Sequence, residues 1–238
     1  MEQITDSIFS SLTLPENSQI ILNDKILFVT KWNWDFKDCE QFQLQALDLV
    51  SKNRDHKIYI FCNHPHCFTL GKGNERGEDL VDFDPKIIEY LKYPVHQIHR
   101  GGGITFHYPG QWIFYPICAV NEKYNLDDHM CWLLTTVKNV LKDSFGIHNA
   151  LSAKKLMGIW VERNKIASIG VGLKKFVTIH GLALNLVYDE LMFDDLKKIN
   201  PCGMSPETYV CLNQKCEINP NNLVESFHKI YINSIKLN

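Results

Sequence analysis

The hydrophobic and polar positions of the chain follow two alternating periods, one typical of helices and one typical of strands. Apolar residues three and four positions apart predict amphipathic helices over Asp35–Ser51, Leu126–Phe145 and Asn221–Lys236. Asp84–Leu91 predicts a shorter helix. Gly146 suits the end of the second long helix because glycine readily adopts the left-handed backbone of a helix stop.

Apolar and β-branched runs between these helices predict strands. The runs are Ile20–Thr30, Lys57–Cys62, Cys67–Leu70, Val95–His99, Ile104–His107, Trp112–Ala119, Gly158–Val161, Lys165–Val171 and Phe176–Leu186. This order predicts the α+β class, a mixed β-sheet with flanking helices. The chain has no repeat and no convincing linker, so residues 1–238 are expected to form a single domain. Residues 1–19 are polar and are expected to be loosely ordered.

Composition narrows the functional classes. Hydrophobic residues make up 45 % of the chain and charged residues 22 %, which is ordinary for a globular protein. The net charge of -2 gives no overall basic field for nucleic acid. The N-terminus lacks the basic and apolar regions of a secretory signal, and no apolar run reaches transmembrane length. We therefore expect a soluble, cytoplasmic protein without nucleic-acid or membrane partners.

The cysteines raise two questions, of which the first is metal binding. Cysteines stand at positions 39, 62, 67, 118, 131, 202, 211 and 216, and without a secretory signal they are expected to be reduced thiols. The segment Cys62–Cys67 packs two cysteines and two histidines into six residues. Its spacing fits none of the usual structural zinc patterns, so no metal is predicted.

The second question is whether one thiol is reactive. Cys202 lies between Pro201 and Gly203, a pair that indicates a constrained loop, where exposed reactive groups are common. A thiolate there is suited to acyl transfer. The alternative is that Cys202 is one ordinary thiol among eight.

Two further segments carry possible chemistry, each beside a plain structural alternative. Three glycines follow Arg100, and they either let the backbone approach a ligand or form a simple hairpin loop. Arg100 can pair with an anion, and His107 can shape a pocket or orient a carbonyl. Lys165 opens an apolar strand. It is either a surface lysine or, if it lies in an apolar pocket, a base with a lowered pKa.

Together these segments resemble the lipoate–protein ligase B family, the lipoyl(octanoyl) transferases. The resemblance extends from about Ile58 to about Thr208, with the motifs in the family's order. The matching stretches are His64-Pro65, Phe68–Gly71, Arg100–Gln111, Gly158–Val161, Lys165–Gly170, His180–Asn185 and Ile199–Gly203. The resemblance implies a biotin/lipoate ligase-like fold and no cofactor. It also implies octanoyl transfer from acyl carrier protein to a lysine of a lipoyl domain or of the glycine cleavage H protein.

The resemblance also implies a role for each matching residue. Cys202 would carry the acyl thioester, and Lys165 would lower the pKa of that thiol and move protons. Substrate-binding positions would be Arg100, Gly101, Gly102, Gly103, Ile104, Thr105, Phe106, His107, Ser168, Ile169, Gly170, Gly181, Leu182 and Ala183. The sequence departs from the family at Tyr108, where glycine is usual, and at Cys211, where serine is common. Tyr108 would either narrow the pocket or point to solvent.

Other functions are compatible with the same residues. An amidotransferase would relay the acyl group between lipoyl domains, and an ATP-dependent lipoate ligase would adenylate its substrate. A non-catalytic binder of acyl carrier or lipoyl domains would need neither Lys165 nor Cys202. The presence of both residues favours acyl transfer through a cysteine.

Overall fold

A computed structural model describes residues 7–72, 85–153, 157–191, 208–216 and 222–236. The α-helices within these ranges are α1 (Phe36–Lys52), α2 (Leu126–Phe145) and α3 (Leu223–Lys236). The short helix predicted over Asp84–Leu91 is a 3₁₀ helix over Pro85–Tyr90. The strands are β1 (Gln19–Asn23), β2 (Ile26–Lys31), β3 (Lys57–Cys62), β4 (Cys67–Leu70), β5 (Val95–Gln97), β6 (Ile104–His107), β7 (Gln111–Ile117), β8 (Ala150–Ala153), β9 (Gly158–Val161), β10 (Asn164–Lys174) and β11 (Val177–Asn185). The predicted α+β class is confirmed.

The helix ends follow from capping side chains. Asp35 accepts hydrogen bonds from the backbone N–H groups of Lys37 and Asp38, which begins α1. Asn125 and Asp128 form a reciprocal capping box at the start of α2. Gly146 ends α2 with a left-handed φ of 67°, as the sequence predicts.

The described strands form two sheets. Eight of them make a mixed sheet in the order β1-β2-β3-β7-β11-β10-β9-β8. Helix α1 packs on one face of this sheet, and α2 and α3 pack on the other. The remaining three strands make a small sheet in the order β5-β4-β6. The Gly-rich loop after Arg100 leads directly into β6 of this small sheet.

Three local predictions differ from the structure. The predicted strand Ile20–Thr30 is a hairpin of β1 and β2, because Asp24 adopts a left-handed φ of 51° and turns the chain. Strand β8 was not expected. The stretch 1–19 was expected to be loosely ordered, but within its described part Phe9 is 1 % exposed and Leu12 is also buried, since both are apolar and pack in the core beneath α1. No helix in the described part of the chain is long and apolar enough to cross a membrane.

Candidate active site

A bulge in β10 decides the direction of Lys165. In the pairing of β9 with β10, Trp160 lies opposite Lys165 and Ile159 lies opposite Ala167, so the register shifts by one residue. Neighbouring residues of β9 face opposite sides of the sheet, and therefore Lys165 and Ala167 do as well. Ala167 packs in the core on the α2 side. Lys165 consequently projects from the other face, the face to which Ser168 belongs.

The side chain of Lys165 is enclosed, with 2 % of the residue exposed. Its Nζ lies 5.9 Å from the centroid of the Trp160 ring and 6.0 Å from that of Tyr209. Of the two alternatives from the sequence, the structure therefore places Lys165 in a buried pocket and not on the surface. Aromatic faces attract a cationic amine, so the two rings are contact partners of the Lys165 Nζ.

The segment after Cys202 returns to the sheet beside Lys165. Tyr209 forms a parallel bridge with Lys165, and the Val210 N–H donates to the Lys165 carbonyl at 3.1 Å. Asn185 Nδ2 donates to the Val210 carbonyl at 3.4 Å. Cys202 itself, the predicted nucleophile, lies outside the described residues.

A buried hydrogen-bond network joins the separate sequence motifs. Gln111 Nε2 donates to Asn185 Oδ1 at 2.9 Å and to the Phe106 carbonyl at 3.1 Å, so Gln111 Oε1 faces His107. His107 Nδ1 then donates to this Oε1 at 3.0 Å, and His107 Nε2 accepts from the Thr69 hydroxyl at 3.1 Å. Burial lowers the pKa of His107 well below its ordinary value, which keeps the ring neutral.

Arg100 connects this network to the Gly-rich loop. One guanidinium nitrogen, Nη2, lies 2.9 Å from both the carbonyl and the hydroxyl oxygen of Thr69 and 2.8 Å from the Thr105 hydroxyl. The other, Nη1, donates to the Gly101 carbonyl at 2.9 Å. Gly102 adopts a left-handed φ of 79°, which favours glycine. These bonds tie the Gly-rich loop to β4 and β6, and Arg100 also lines the cavity described next.

Many of the predicted binding residues surround one narrow cavity with a volume of about 30 Å³, room for a water molecule or two. Its lining comprises Ile98, Arg100, Thr105, His107, Tyr115, Ser168, Ile169, Gly170, His180, Gly181, Leu182 and Ala183. Of the other predicted residues, Ile104 and Phe106 pack in the apolar cluster of the small sheet. Gly101, Gly102 and Gly103 form the loop and do not line this cavity.

His180 lines the cavity but was not among the predicted site residues. Its Nδ1 is buried and has no hydrogen-bond partner among the described residues, and its backbone has a left-handed φ of 61°. Burial first, and the nearby charge of Arg100 second, lower the pKa of His180 to about 3. Unusual backbone geometry and unpaired buried groups concentrate at functional sites. The available signal was its position at the start of the stretch His180–Asn185.

The Cys62–Cys67 segment does not act as a single chelating unit. Cys62, His64 and the distant Cys39 place their ligand atoms within 4.8 Å of one another. His64 Nδ1 donates to the Trp34 carbonyl at 2.7 Å, and His64 Nε2 accepts from the Tyr115 hydroxyl at 3.1 Å. Protein groups therefore satisfy both ring nitrogens. Outside this cluster, His66 contacts Asp189 at 2.8 Å and Cys67 belongs to β4.

The two departures from the family pattern contact each other. Tyr108 is fully buried, and its hydroxyl lies 3.3 Å from Cys211 Sγ. Tyr108 does not point to solvent, so that alternative from the sequence is wrong, and it is not among the residues that line the described cavity. It packs instead with Phe106 and Tyr209 in the apolar cluster beside the small sheet.

Comparisons with known proteins identify the family and the fold. The model of the lipoyl protein ligase A/B catalytic domain matches residues 37–232. An octanoyltransferase of Synechococcus sp. is 31 % identical over 192 residues, which cover 79 % of this chain and 72 % of that protein. An octanoyltransferase of Gloeobacter violaceus is 34 % identical over 181 residues, which cover 75 % of this chain and 72 % of that protein.

Solved structures show the same fold at low identity. Lipoate-protein ligase A bound with ATP has a TM-score of 0.63 and 12 % identity, covering 90 % of this chain and 86 % of that chain. P. falciparum LipL1 in complex with lipoate has a TM-score of 0.64 and 15 % identity, covering 89 % and 63 %. The chain belongs to the lipoyl protein ligase A/B catalytic domain family. The resemblance drawn from the sequence motifs is thereby confirmed.

Proposed function

We propose that this protein is an acyltransferase that moves an octanoyl group from acyl carrier protein to a lysine of a lipoyl domain or of the glycine cleavage H protein. The relatives named octanoyltransferase support the activity. The observation that carries the proposal is the bulge that turns the buried Lys165 toward the face that carries Ser168 and the cavity. Bulges that re-aim a side chain are over-represented next to active sites, which supports a catalytic role for Lys165.

In this proposal Cys202 and Lys165 act as a dyad. Tyr209 follows Cys202 by seven residues and pairs with Lys165. Seven residues span at most about 25 Å, so chain length lets the thiol come to the lysine. The rings of Trp160 and Tyr209 lie 5.9 and 6.0 Å from the Lys165 Nζ. An ammonium group beside a thiol lowers the pKa of that thiol and so increases the thiolate fraction.

The reaction then has two balanced steps. The Cys202 thiolate attacks the carbonyl carbon of the donor thioester, the bond from that carbon to the carrier's sulfur breaks, and Lys165 protonates the departing thiolate. Next the acceptor amine attacks the acyl-cysteine, Lys165 takes the proton of that amine, and the Cys202 thiolate leaves. Two-step kinetics of the ping-pong form follow.

Residues Ser168–Gly170 of β10 pair with Gly181–Ala183 of β11. The acyl chain is assigned to the cavity that these paired segments line together with Arg100, Thr105 and His107. Burial of each methylene contributes about 0.8 kcal/mol, so an eight-carbon chain gains several kcal/mol of binding. The present cavity of about 30 Å³ admits water only, and it therefore widens when the chain binds.

Intact mass spectrometry tests the activity. The protein is incubated with octanoyl-acyl carrier protein, and then with hydroxylamine, which cleaves thioesters. The expected result is one octanoyl adduct on the wild type that hydroxylamine removes and that is absent from Cys202→Ala. Cys131→Ala, which removes a thiol exposed on α2, is the matched control and keeps the adduct. An adduct that persists in Cys202→Ala, or no adduct on the wild type, overturns the proposal.

A further inference from the structure

The contact between Tyr108 and Cys211 joins two elements that the chain separates widely. Tyr108 follows β6, and Cys211 belongs to the segment that returns to the sheet after residue 207. Both residues are fully buried, and the hydroxyl and the sulfur are 3.3 Å apart. An ideal Cβ at Gly110 would lie 2.7 Å from the Tyr108 ring, so the ring also lies directly over the turn that follows it.

The Cys211 end of this contact is continuous with the surroundings of Lys165. Cys211 is two residues from Tyr209, which pairs with Lys165 and places its ring 6.0 Å from the lysine Nζ. Val210 between them donates its N–H to the Lys165 carbonyl. Anything that fixes Cys211 therefore fixes the aromatic ring beside the ammonium group. Tyr108 is a fixed support on the opposite side of this segment.

We propose that Tyr108 and Cys211 are paired positioning residues, which hold Tyr209 against Lys165 and so set the electrostatic surroundings of the dyad. This inference rests on the proposed role of Lys165. In this arrangement the phenol of Tyr108 supplies a hydrogen-bonding partner for the side chain at position 211. Neither side chain touches substrate in this account.

The chemistry of the pair is that of a neutral hydrogen bond. Burial raises the pKa of Cys211 to about 12 and the pKa of Tyr108 well above its ordinary value, so both groups stay protonated in the physiological range. Serine at position 211 would keep a hydrogen-bonding group of similar size, whereas alanine would leave the phenol without its partner. This difference separates a positioning role from simple packing.

The test uses the full chain with Tyr108→Phe, Cys211→Ala and Cys211→Ser. The matched control is Tyr231→Phe, since Tyr231 is also fully buried and shares one hydrogen bond, at 2.8 Å with Thr136, but lies in α3 on the other face of the sheet. Two quantities are measured: kcat and KM with octanoyl-acyl carrier protein, and the rate of iodoacetamide alkylation of Cys202 against pH, followed on its own peptide.

We expect Tyr108→Phe and Cys211→Ala each to lower kcat about fivefold with KM unchanged, the ratio that one hydrogen bond supports. Both should move the alkylation of Cys202 to higher pH, because a displaced Tyr209 ring stabilises the ammonium group less. Cys211→Ser should restore both properties. Tyr231→Phe should lower the melting temperature without changing either.

Three outcomes overturn the inference. The first is that Tyr108→Phe and Cys211→Ala lose only thermal stability, as the control does. The second is that Cys211→Ser behaves as Cys211→Ala does. The third is that Lys165→Met leaves the alkylation profile unchanged. The first two leave the proposed function intact, because the wild type still forms its adduct on Cys202. The third removes the role of Lys165 and, with it, the reason for positioning Tyr209.

Discussion

Gly158 lies directly under the side chain of Lys165. An ideal Cβ at residue 158 would stand 2.6 Å from Lys165 Cε and would also meet the Ala167 carbonyl. The lysine stem therefore runs over β9 in the space that the missing side chain of Gly158 leaves. This relationship, together with the bulge at Ile166, places the ammonium group on the face of the sheet that carries the cavity.

The first prediction concerns this space. Gly158→Ala should displace the stem of Lys165 and slow acylation of Cys202 at least tenfold, because a misplaced catalytic group loses its geometry. Single-turnover acylation with octanoyl-acyl carrier protein measures this rate. Gly146→Ala is the control: residue 146 has open space around it but a left-handed φ of 67°. It should cost about 1 kcal/mol of stability and leave the rate unchanged. Equal rates in both variants would contradict the account.

The second prediction concerns Gln111, which bridges His107 and Asn185 inside the buried network. Gln111→Ala removes these two bonds and the bond to the Phe106 carbonyl, and it leaves the His107 Nδ1–H without its acceptor. The free energy of unfolding should fall by about 2 to 3 kcal/mol, because buried groups are left unsatisfied. Urea unfolding measures the change. Gln97→Ala on β5, where the side chain is exposed, should change it by less than about 0.5 kcal/mol. Equal free energies of unfolding for Gln111→Ala and Gln97→Ala would contradict a stabilising role of this hydrogen-bond network.

The third prediction concerns pH. The pKa of His180 is lowered to about 3 from an ordinary value of 6.5, chiefly by burial. Between these pH values the unfolded chain binds a proton that the folded chain does not, so stability falls as pH falls from 6.5 toward 3. The contribution is about 1.4 kcal/mol per pH unit.

Urea unfolding at pH 7, 6 and 5 measures this slope. His180→Asn should reduce this slope by the contribution of one proton, about 1.4 kcal/mol per pH unit. Asparagine tolerates the left-handed backbone at that position. An unchanged slope in His180→Asn would mean that His180 titrates alike in the folded and unfolded chains. The depressed pKa would then have no part in the pH dependence of stability.

The sequence predicts the helices well for local reasons. The bounds of α2 agree with the predicted Leu126–Phe145. Its apolar spacing and its stop at Gly146 both depend only on residues that are close together in the sequence. The strands β3, β4 and β9 also begin and end as predicted. The hairpin of β1 and β2 was missed because one continuous apolar pattern hid the turn at Asp24.

The remaining features depend on contacts between distant parts of the chain. The direction of Lys165 follows from a register shift against β9, which no pattern within β10 reveals. The contact of Tyr108 with Cys211 joins residues far apart in sequence, so the sequence showed two departures but not that they meet. The predicted site does not include His180, because a single histidine in a sequence carries little signal until the cavity that it lines is known.

The central claim is that Lys165 promotes the thiolate of Cys202. The most direct measurement is the rate of iodoacetamide alkylation of Cys202 against pH, followed on its own peptide, in the wild type and in Lys165→Met. Methionine keeps most of the volume of the lysine stem without its charge. The account predicts that alkylation of the wild type reaches half its maximum at a lower pH than alkylation of Lys165→Met. Coincident profiles would contradict it.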